Sequence, residues 1–309
     1  MRLPPFIREN VSLAGLTTFR IGGPARWLAE PATREELSLA LQFANENGVP
    51  VIALGGGSNI LAADPGVEAM IVKLEGPGEF ARLEQDRENP LVWRAGAAVR
   101  LPVMLKRTIE AGIAGLEPLA GIPGRLGGAV AMNAGAVDKG IGSYVAWTVA
   151  VEQDGSEIRM TNSELGFNYR GSNLVGSIAV EFAFEFQERA EPVELERRVN
   201  EFLSQKKATQ PLELPSAGCI FKNPSEAPAG LLIDQAGCKG WREGNAEVSR
   251  VHANFIVNHG GATAKDVALL ASRLRDAVRD RHGVDMELEI VLCGNQPEFE
   301  MLIAPIGGK

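Results

Sequence analysis

An α+β fold is what this 309-residue chain predicts, and three observations carry it. Strand-like and helix-like patterns are mixed without the βαβ rhythm of a doubly wound sheet. Glycine-rich stretches follow apolar runs directly, as loops do at strand ends. The composition, 45% hydrophobic and 23% charged, is that of an ordinary soluble globular protein. The length suits one very large domain or two to three smaller ones.

A net charge of −8 with no basic run argues against a nucleic-acid binder. No segment approaches eighteen apolar residues, so no membrane span is expected. Met1 to Asn10 lacks the apolar stretch of a signal peptide, and a cytoplasmic protein is expected. Cys219, Cys238 and Cys293 are too few and too widely spaced for a disulfide framework or a metal-ligand pattern. His252 and His259 lack acidic companions, so no metal site is expected.

The elements follow in order. Residues 17–23, Thr-Thr-Phe-Arg-Ile-Gly-Gly, lead through Pro24 into an apolar-rich piece ending at Ala29. Thr33 opens a helix with Glu36 completing a capping box, an apolar stripe of Leu37, Ala40, Leu41 and Ala44, and a stop at Gly48. Val49 to Leu54 reads as a short buried strand running into Gly55-Gly56-Gly57-Ser58-Asn59. Residues 76–90 read as a surface connection. Leu91 to Val99 reads as a strand, and Pro102 begins a helix that stops near Gly112. Val145 to Gln153 and Ser156 to Met160 form a hairpin about Asp154-Gly155. Ile178 to Phe186 alternates, with Val180, Phe182, Phe184 and Phe186 on one face. A charged helix spans residues 188–210. A short helix lies near Leu231–Gln235, and a strand at Phe255–Val257. Thr263 caps a long helix carrying Val267, Leu270, Leu274 and Val278, closed by Arg279, Arg281 and His282 before Gly283. A last strand runs from Val284 to Leu292, with Val284, Met286, Leu288 and Ile290 inward and Glu287 on the opposite face.

Residues 121–136, Gly-Ile-Pro-Gly-Arg-Leu-Gly-Gly-Ala-Val-Ala-Met-Asn-Ala-Gly-Ala, carry no acidic group. Glycine lets backbone N–H groups turn toward an anion, and a helical turn from Leu126 to Met132 would favour negative charge at its start. A diphosphate suits that arrangement; so does plain tight packing under a sheet. The triple glycine at 55–57, led into by an apolar strand, reads as a second backbone cradle, with a flexible turn as the plain alternative. Three isolated groups stand beside them. Arg170 lies in a turn after Phe167, where a structural ion pair is the plain alternative. Cys219 lies three positions before Lys222, where a buried thiol is the plain alternative. Glu287 is one of three carboxylates on a wet strand face.

Thr18-Phe19-Arg20-Ile21-Gly22-Gly23, Gly55-Gly56-Gly57-Ser58-Asn59-Ile60-Leu61 and Gly121-Ile122-Pro123-Gly124 occur in an order seen in one flavoenzyme family. Phe167-Asn168-Tyr169-Arg170-Gly171-Ser172, Ala217-Gly218-Cys219-Ile220-Phe221-Lys222-Asn223-Pro224 and Leu232-Ile233-Asp234-Gln235-Ala236-Gly237 continue it. The chain resembles the UDP-N-acetylenolpyruvoylglucosamine reductase family, in its compact second type, from about residue 10 to 294.

That resemblance implies non-covalent FAD in a two-subdomain module of the vanillyl-alcohol-oxidase type (residues 1–75 and 76–190). A C-terminal α+β domain (191–309) would take the UDP-sugar. It implies NADPH as co-substrate, UDP-N-acetylglucosamine enolpyruvate as substrate, a role in peptidoglycan precursor synthesis and no obligate protein partner. FAD would be met by Arg20, Gly22, Gly55, Gly56, Gly57, Ser58, Asn59, Ile60, Gly121, Ile122, Pro123, Gly124, Gly127, Gly128, Ala129 and Gly135. Tyr169, Lys222, Asn223, Gln235 and Lys239 would face the substrate. Arg170 matches the family's active-site arginine and Glu287 its C-terminal carboxylate, although Met286 stands where proline is common. Cys219 stands where the family most often has a proton-donating serine; a thiol is the stronger acid.

Overall fold

The computed structural model describes residues 3–75, 78–135, 139–174 and 176–303. Residues 76–77 of the expected surface connection and residue 136 of the glycine stretch lie outside these. Contacts divide the chain into two compact units. Unit 1 is Met1–Arg8, Trp27–Gly56 and Ala69–Lys206; unit 2 is Glu9–Arg26, Gly57–Glu68 and Lys207–Lys309. Each has its own apolar core, the first including Trp27, Leu41, Trp93, Leu126 and Phe182, the second Phe19, Leu61, Phe221, Ile256 and Leu274. The mixed architecture is α+β, as the interleaved patterns predict.

The first five strands are β1 (Ile7–Ser12), β2 (Pro24–Ala29), β3 (Val51–Ala53), β4 (Ile60–Ala62) and β5 (Val67–Val72). One sheet is ordered β1-β2-β5-β3, its last pair parallel. The helix α1 (Arg34–Glu46) buries Leu37, Ala40, Leu41 and Ala44. Its expected capping box is half formed. Thr33 Oγ1 accepts Glu36 N–H at 3.2 Å, but Glu36 reaches one residue further back, to Ala32 N–H at 2.7 Å.

Unit 1 also contains β6 (Leu83–Gln85), β7 (Val92–Gly96), β8 (Val145–Val151), β9 (Glu157–Thr161) and β10 (Ile178–Glu185). They form one sheet in the order β6-β7-β10-β8-β9. β6 lies where only a surface connection was expected. Its three residues pair with β7 and are too short to show a period. β10 is central and antiparallel to β7 and β8, and Val180, Phe182 and Phe184 are buried as their alternation requires. The β8–β9 loop is one residue longer than a two-residue turn. Gly155 N–H donates to Glu152 O, Glu152 N–H donates to Ser156 O, and Gly155 sits at φ +85°. That is the type I turn with a glycine bulge. The helices here are α2 (Leu101–Glu110), α3 (Leu126–Ala131), α4 (Asn162–Leu165) and α5 (Pro192–Thr209).

Unit 2 adds β11 (Arg242–Glu243), β12 (Ala246–Val248), β13 (Ile256–Asn258) and β14 (Val291–Cys293). The first three form an antiparallel sheet, and β14 runs parallel to β4. Its helices are α6 (Ala229–Gln235), α7 (Ala264–His282) and α8 (Pro297–Ile303). α7 has the expected Thr263 cap, a capping box with Asp266 and Gly283 at φ +67°. Asp64 caps it a second time, accepting Ala264 N–H at 2.7 Å and Lys265 N–H at 3.0 Å. The expected strand over 284–292 is not continuous. Val284, Met286 and Ile290 are buried in alternation. Only Val291–Cys293 is regular strand, with one isolated bridge, Phe221↔Leu288, before it. Among the described residues, segment 284–290 bonds to backbone at Ile220 and Lys222 and to the Asn59 side chain, so its period survives without a ladder. Among the described residues, no helix is long and apolar enough to cross a membrane.

Candidate active site

Unit 1 carries the glycine loops. Leu101 N–H donates to Gly124 O, and Gly127 N–H donates to Ala97 O at 2.9 Å, tying the loop before α3 to β7 and α2. Gly55 and Gly56 come against it. A Cβ added at Gly56 would lie 2.6 Å from Gly124 Cα, so the room at Gly56 is filled by the chain's own backbone. Gly135, at φ +151°, is likewise crowded, by Lys139 O at 2.6 Å. Gly128 differs. A Cβ there would meet nothing within 4 Å, and one at Gly55 would meet only Gly128, at 3.6 Å. Gly55, Gly127 and Gly128 line a groove of about 110 Å³ with Leu54, Arg125 and Leu174. Gly121 and Pro123 are exposed, Ile122 is half-buried, and Ala129 is buried inside α3.

The same unit holds Arg170 in a tight turn. Asn168 N–H donates to Gly171 O at 3.1 Å, and Tyr169 and Arg170 occupy the tip. Arg170 has φ +60°, a conformation uncommon for a non-glycine residue. Its Nη1 donates to Gly135 O at 2.7 Å, and its guanidinium lies 5.1 Å from the Tyr169 ring centroid.

In unit 2, backbone pairing brings Lys222 and Glu287 together, and Cys219, on the same segment as Lys222, is bridged to Phe255. Lys222 N–H donates to Glu287 O and Glu289 N–H to Ile220 O, both at 2.8 Å. On the other edge buried Asn254 accepts Phe221 N–H at 3.0 Å and donates to Phe221 O at 2.8 Å. Lys222 Nζ lies 3.3 Å from Glu287 Oε2, an ion pair with an exposed carboxylate. Asn59 Nδ2 donates to Glu289 O at 2.9 Å, which draws Ser58, Asn59 and Ile60 toward the same segment. Gly57 is closed off by Leu16 O, 2.0 Å from where a Cβ would stand, and Gly22 by Ala62 Cβ at 2.8 Å. Arg20 is exposed at φ +57°. Asn223 Oδ1 accepts Ala229 N–H at the start of α6. Gln235 ends that helix in solvent, and Lys239 Nζ pairs with Asp234 at 2.6 Å.

The other thiols are structural. Cys238 and Cys293 are buried, and burial pushes Cys238 up and Cys293 up to about 11, the environment of an inert cysteine. Cys219 is the half-exposed one. His252 is held below its ordinary range by burial and then by the Lys239 charge. Among the described residues no cluster of metal ligands occurs. Arg125, Asn133 and Asn254 escaped sequence reasoning as site-building residues. Each bonds to backbone far away in the chain, which no local pattern announces.

Comparison with known proteins defines the class first. Residues 25–161 match the family model described as FAD binding domain, and the chain is an FAD-dependent oxidoreductase. Residues 210–293 match the model described as UDP-N-acetylenolpyruvoylglucosamine reductase, C-terminal domain. UDP-N-acetylenolpyruvoylglucosamine reductase 2 of Symbiobacterium thermophilum is 42% identical over 97% of this chain and 96% of its own. The Moorella thermoacetica reductase is 42% identical, covering 93% of each chain. The crystal structure of the Thermus caldophilus reductase superposes with a TM-score of 0.79 at 39% identity, covering 93% of this chain and all of that one. The chain belongs to the UDP-N-acetylenolpyruvoylglucosamine reductase family. The bare backbone at Gly55 and Gly128 fits a cofactor lying against main chain, since a side chain at Gly128 would project into open space.

Proposed function

We propose that this chain is the NADPH-dependent flavoenzyme that reduces UDP-N-acetylglucosamine enolpyruvate to UDP-N-acetylmuramate, in the cytoplasm, for peptidoglycan precursor synthesis. The observation that carries the reading is the assembly of Cys219, Lys222 and Glu287 on paired segments within the reductase-type domain. FAD held by this chain would supply hydride chemistry at C3 of the enolpyruvyl group, with NADPH as its reductant. Residues 1–75 would hold FAD through Arg20, Gly22 and Gly55–Ile60, and residues 76–190 through the 121–129 loop with Gly135. Residues 191–309 would hold the UDP-sugar.

Charge develops at C2 and spreads into the substrate carboxylate, so a positive group there is the main electrostatic requirement. Arg170 supplies it: a planar guanidinium holds a carboxylate through two hydrogen bonds. Cys219 gives its proton to C2 as general acid. Glu287 holds the Lys222 ammonium and orients it toward the bound anion, with Tyr169, Asn223, Gln235 and Lys239 completing the substrate contacts. The test is anaerobic mixing of the yellow holoprotein with NADPH, then with UDP-N-acetylglucosamine enolpyruvate. Bleaching followed by recolouring is expected. Bleaching with no recolouring by this substrate would overturn the assignment.

A further inference from the structure

Three hydrogen bonds fasten the Arg170 turn to the chain leaving α3. Asn133 Nδ2 donates to Asn168 O at 2.9 Å, Arg170 Nη1 to Gly135 O at 2.7 Å and Ser172 Oγ to Ala131 O at 2.9 Å. All three join residues 131–135 to residues 168–172. Asn133 Oδ1 also accepts Gly142 N–H at 2.9 Å, so one side chain ties together three loops. Among the described residues of unit 1, the non-glycine positions with positive φ are Asn133 at +43° and Arg170 at +60°. Both lie in this clasp. Such backbone persists only where the surroundings over-determine it, and it concentrates at working sites.

We propose that Asn133 is a positioning residue for Arg170, with Ser172 as its support; this rests on the role of Arg170 given above. A bidentate guanidinium contact works only in a narrow range of planes, and the plane is set by the turn that carries the side chain. The Asn168 carbonyl is the near end of that turn. Held by the Asn133 amide, it keeps Arg170 in the left-handed region and the fork in one orientation. Released, the turn relaxes toward the backbone an arginine prefers, and the fork meets the substrate carboxylate in fewer of its conformations.

Asn133→Gly is the probe, because glycine keeps a positive φ at no steric cost, adds no charge and removes only the side chain. Holoenzyme of wild type, Asn133→Gly, Arg170→Ala and the double variant is reduced anaerobically with NADPH and then mixed with UDP-N-acetylglucosamine enolpyruvate. Asn133→Gly is expected to slow flavin reoxidation about tenfold while changing flavin reduction by less than about twofold. In the Arg170→Ala background it is expected to add less than about twofold, because the two act as one unit. Ser172→Ala is expected to show the same split with smaller slowing, and it decides the matter if Asn133→Gly fails to hold FAD. Wild-type reoxidation in Asn133→Gly beside slow Arg170→Ala overturns the clasp alone. Equal slowing in both backgrounds does so too, since Asn133 would then act independently. Arg170→Ala reoxidising at the wild-type rate removes the role of Arg170 and the clasp with it.

Discussion

The Arg170 turn of unit 1 and the Cys219–Lys222 segment of unit 2 present the side chains proposed to act on substrate by opposite means. The turn bends a non-glycine residue to positive φ and is held largely through side-chain amides and hydroxyls. The segment is extended and held through backbone on one edge and a buried asparagine imitating backbone on the other. A position set by side chains is adjustable by single substitutions at little cost in stability. A position set by paired backbone moves only when the fold around it loosens. Changes at the first should therefore register in rates, and changes at the second in stability, unless the reactive atom itself is removed.

Removing the reactive atoms gives the largest effects. Cys219→Ala is expected to lose about a hundredfold or more in turnover while still binding FAD, the usual weight of a general acid, and Cys219→Ser to keep appreciable activity. An alanine variant at full turnover would move the proton elsewhere. Arg170→Ala should cost on the order of a hundredfold in flavin reoxidation and leave reduction by NADPH nearly intact. Arg170→Lys should recover little, because an ammonium cannot form the fork; equal slowing of both half-reactions would count against the assignment.

Smaller effects sharpen the contrast. Gly128→Val should fold, since a Cβ there meets nothing within 4 Å, yet purify with reduced yellow colour. Gly56→Val should instead lose thermal stability, with Gly124 in the way at 2.6 Å. Full flavin occupancy in Gly128→Val would move the cofactor's approach away from α3. Asn254→Ala leaves both backbone groups of Phe221 without their side-chain partner in the core of unit 2. It should cost on the order of 2–4 kcal/mol in urea denaturation, whereas Asn133→Gly should cost far less. Comparable losses would erase the distinction between turn and segment.

The smallest expected effect is acid destabilisation of unit 2. Glu247 is buried and accepts from Arg242 Nε at 2.7 Å and Arg250 Nε at 3.2 Å, with His259 Nε2 at 2.9 Å. Burial works against its charge, but Arg242 and then His259 outweigh it and hold the carboxyl below its ordinary value of 4.5. That contribution is present above 4.5 and is lost as pH falls through the folded value. His252 has the same direction of effect. Kept neutral by burial, it forgoes a proton that the unfolded chain takes up below its ordinary value of 6.5. Urea midpoints should therefore decline from near neutrality downward, and Glu247→Gln should flatten the lower part of the decline. A flat profile would show that neither group is linked to folding.

Much of this was legible in the sequence because the signals were local. The long helix α7 was readable from Thr263, its apolar stripe and Gly283, and β10 from its phenylalanine alternation. The motifs around Arg170, Cys219 and Glu287 were readable as a resemblance to the reductase family, which the relatives bear out, while the roles of those three residues are proposals. What escaped depended on partners distant in the chain. β6 has no period of its own, Glu36 chose Ala32 over Thr33 by a one-residue difference in reach, and residues 284–290 keep a strand's alternation without a strand's neighbours. Asn133 stood in plain sight inside the glycine stretch, but the carbonyl it bonds to is Asn168, 35 positions away.

The pairing of β4 with β14 has a consequence for how the protein is made. Asn59 waits for Glu289, 230 positions later, and Ile60–Ala62 for Val291–Cys293. At about 5–20 residues per second on the ribosome, that wait is roughly ten to fifty seconds. Throughout it, an apolar strand edge near the amino end is in the open, a natural client for a holding chaperone. A stalled nascent chain ending before Glu289 should be cut readily by protease within Glu9–Arg26 and Gly57–Glu68, while a chain extended through Cys293 and free of the exit tunnel should resist.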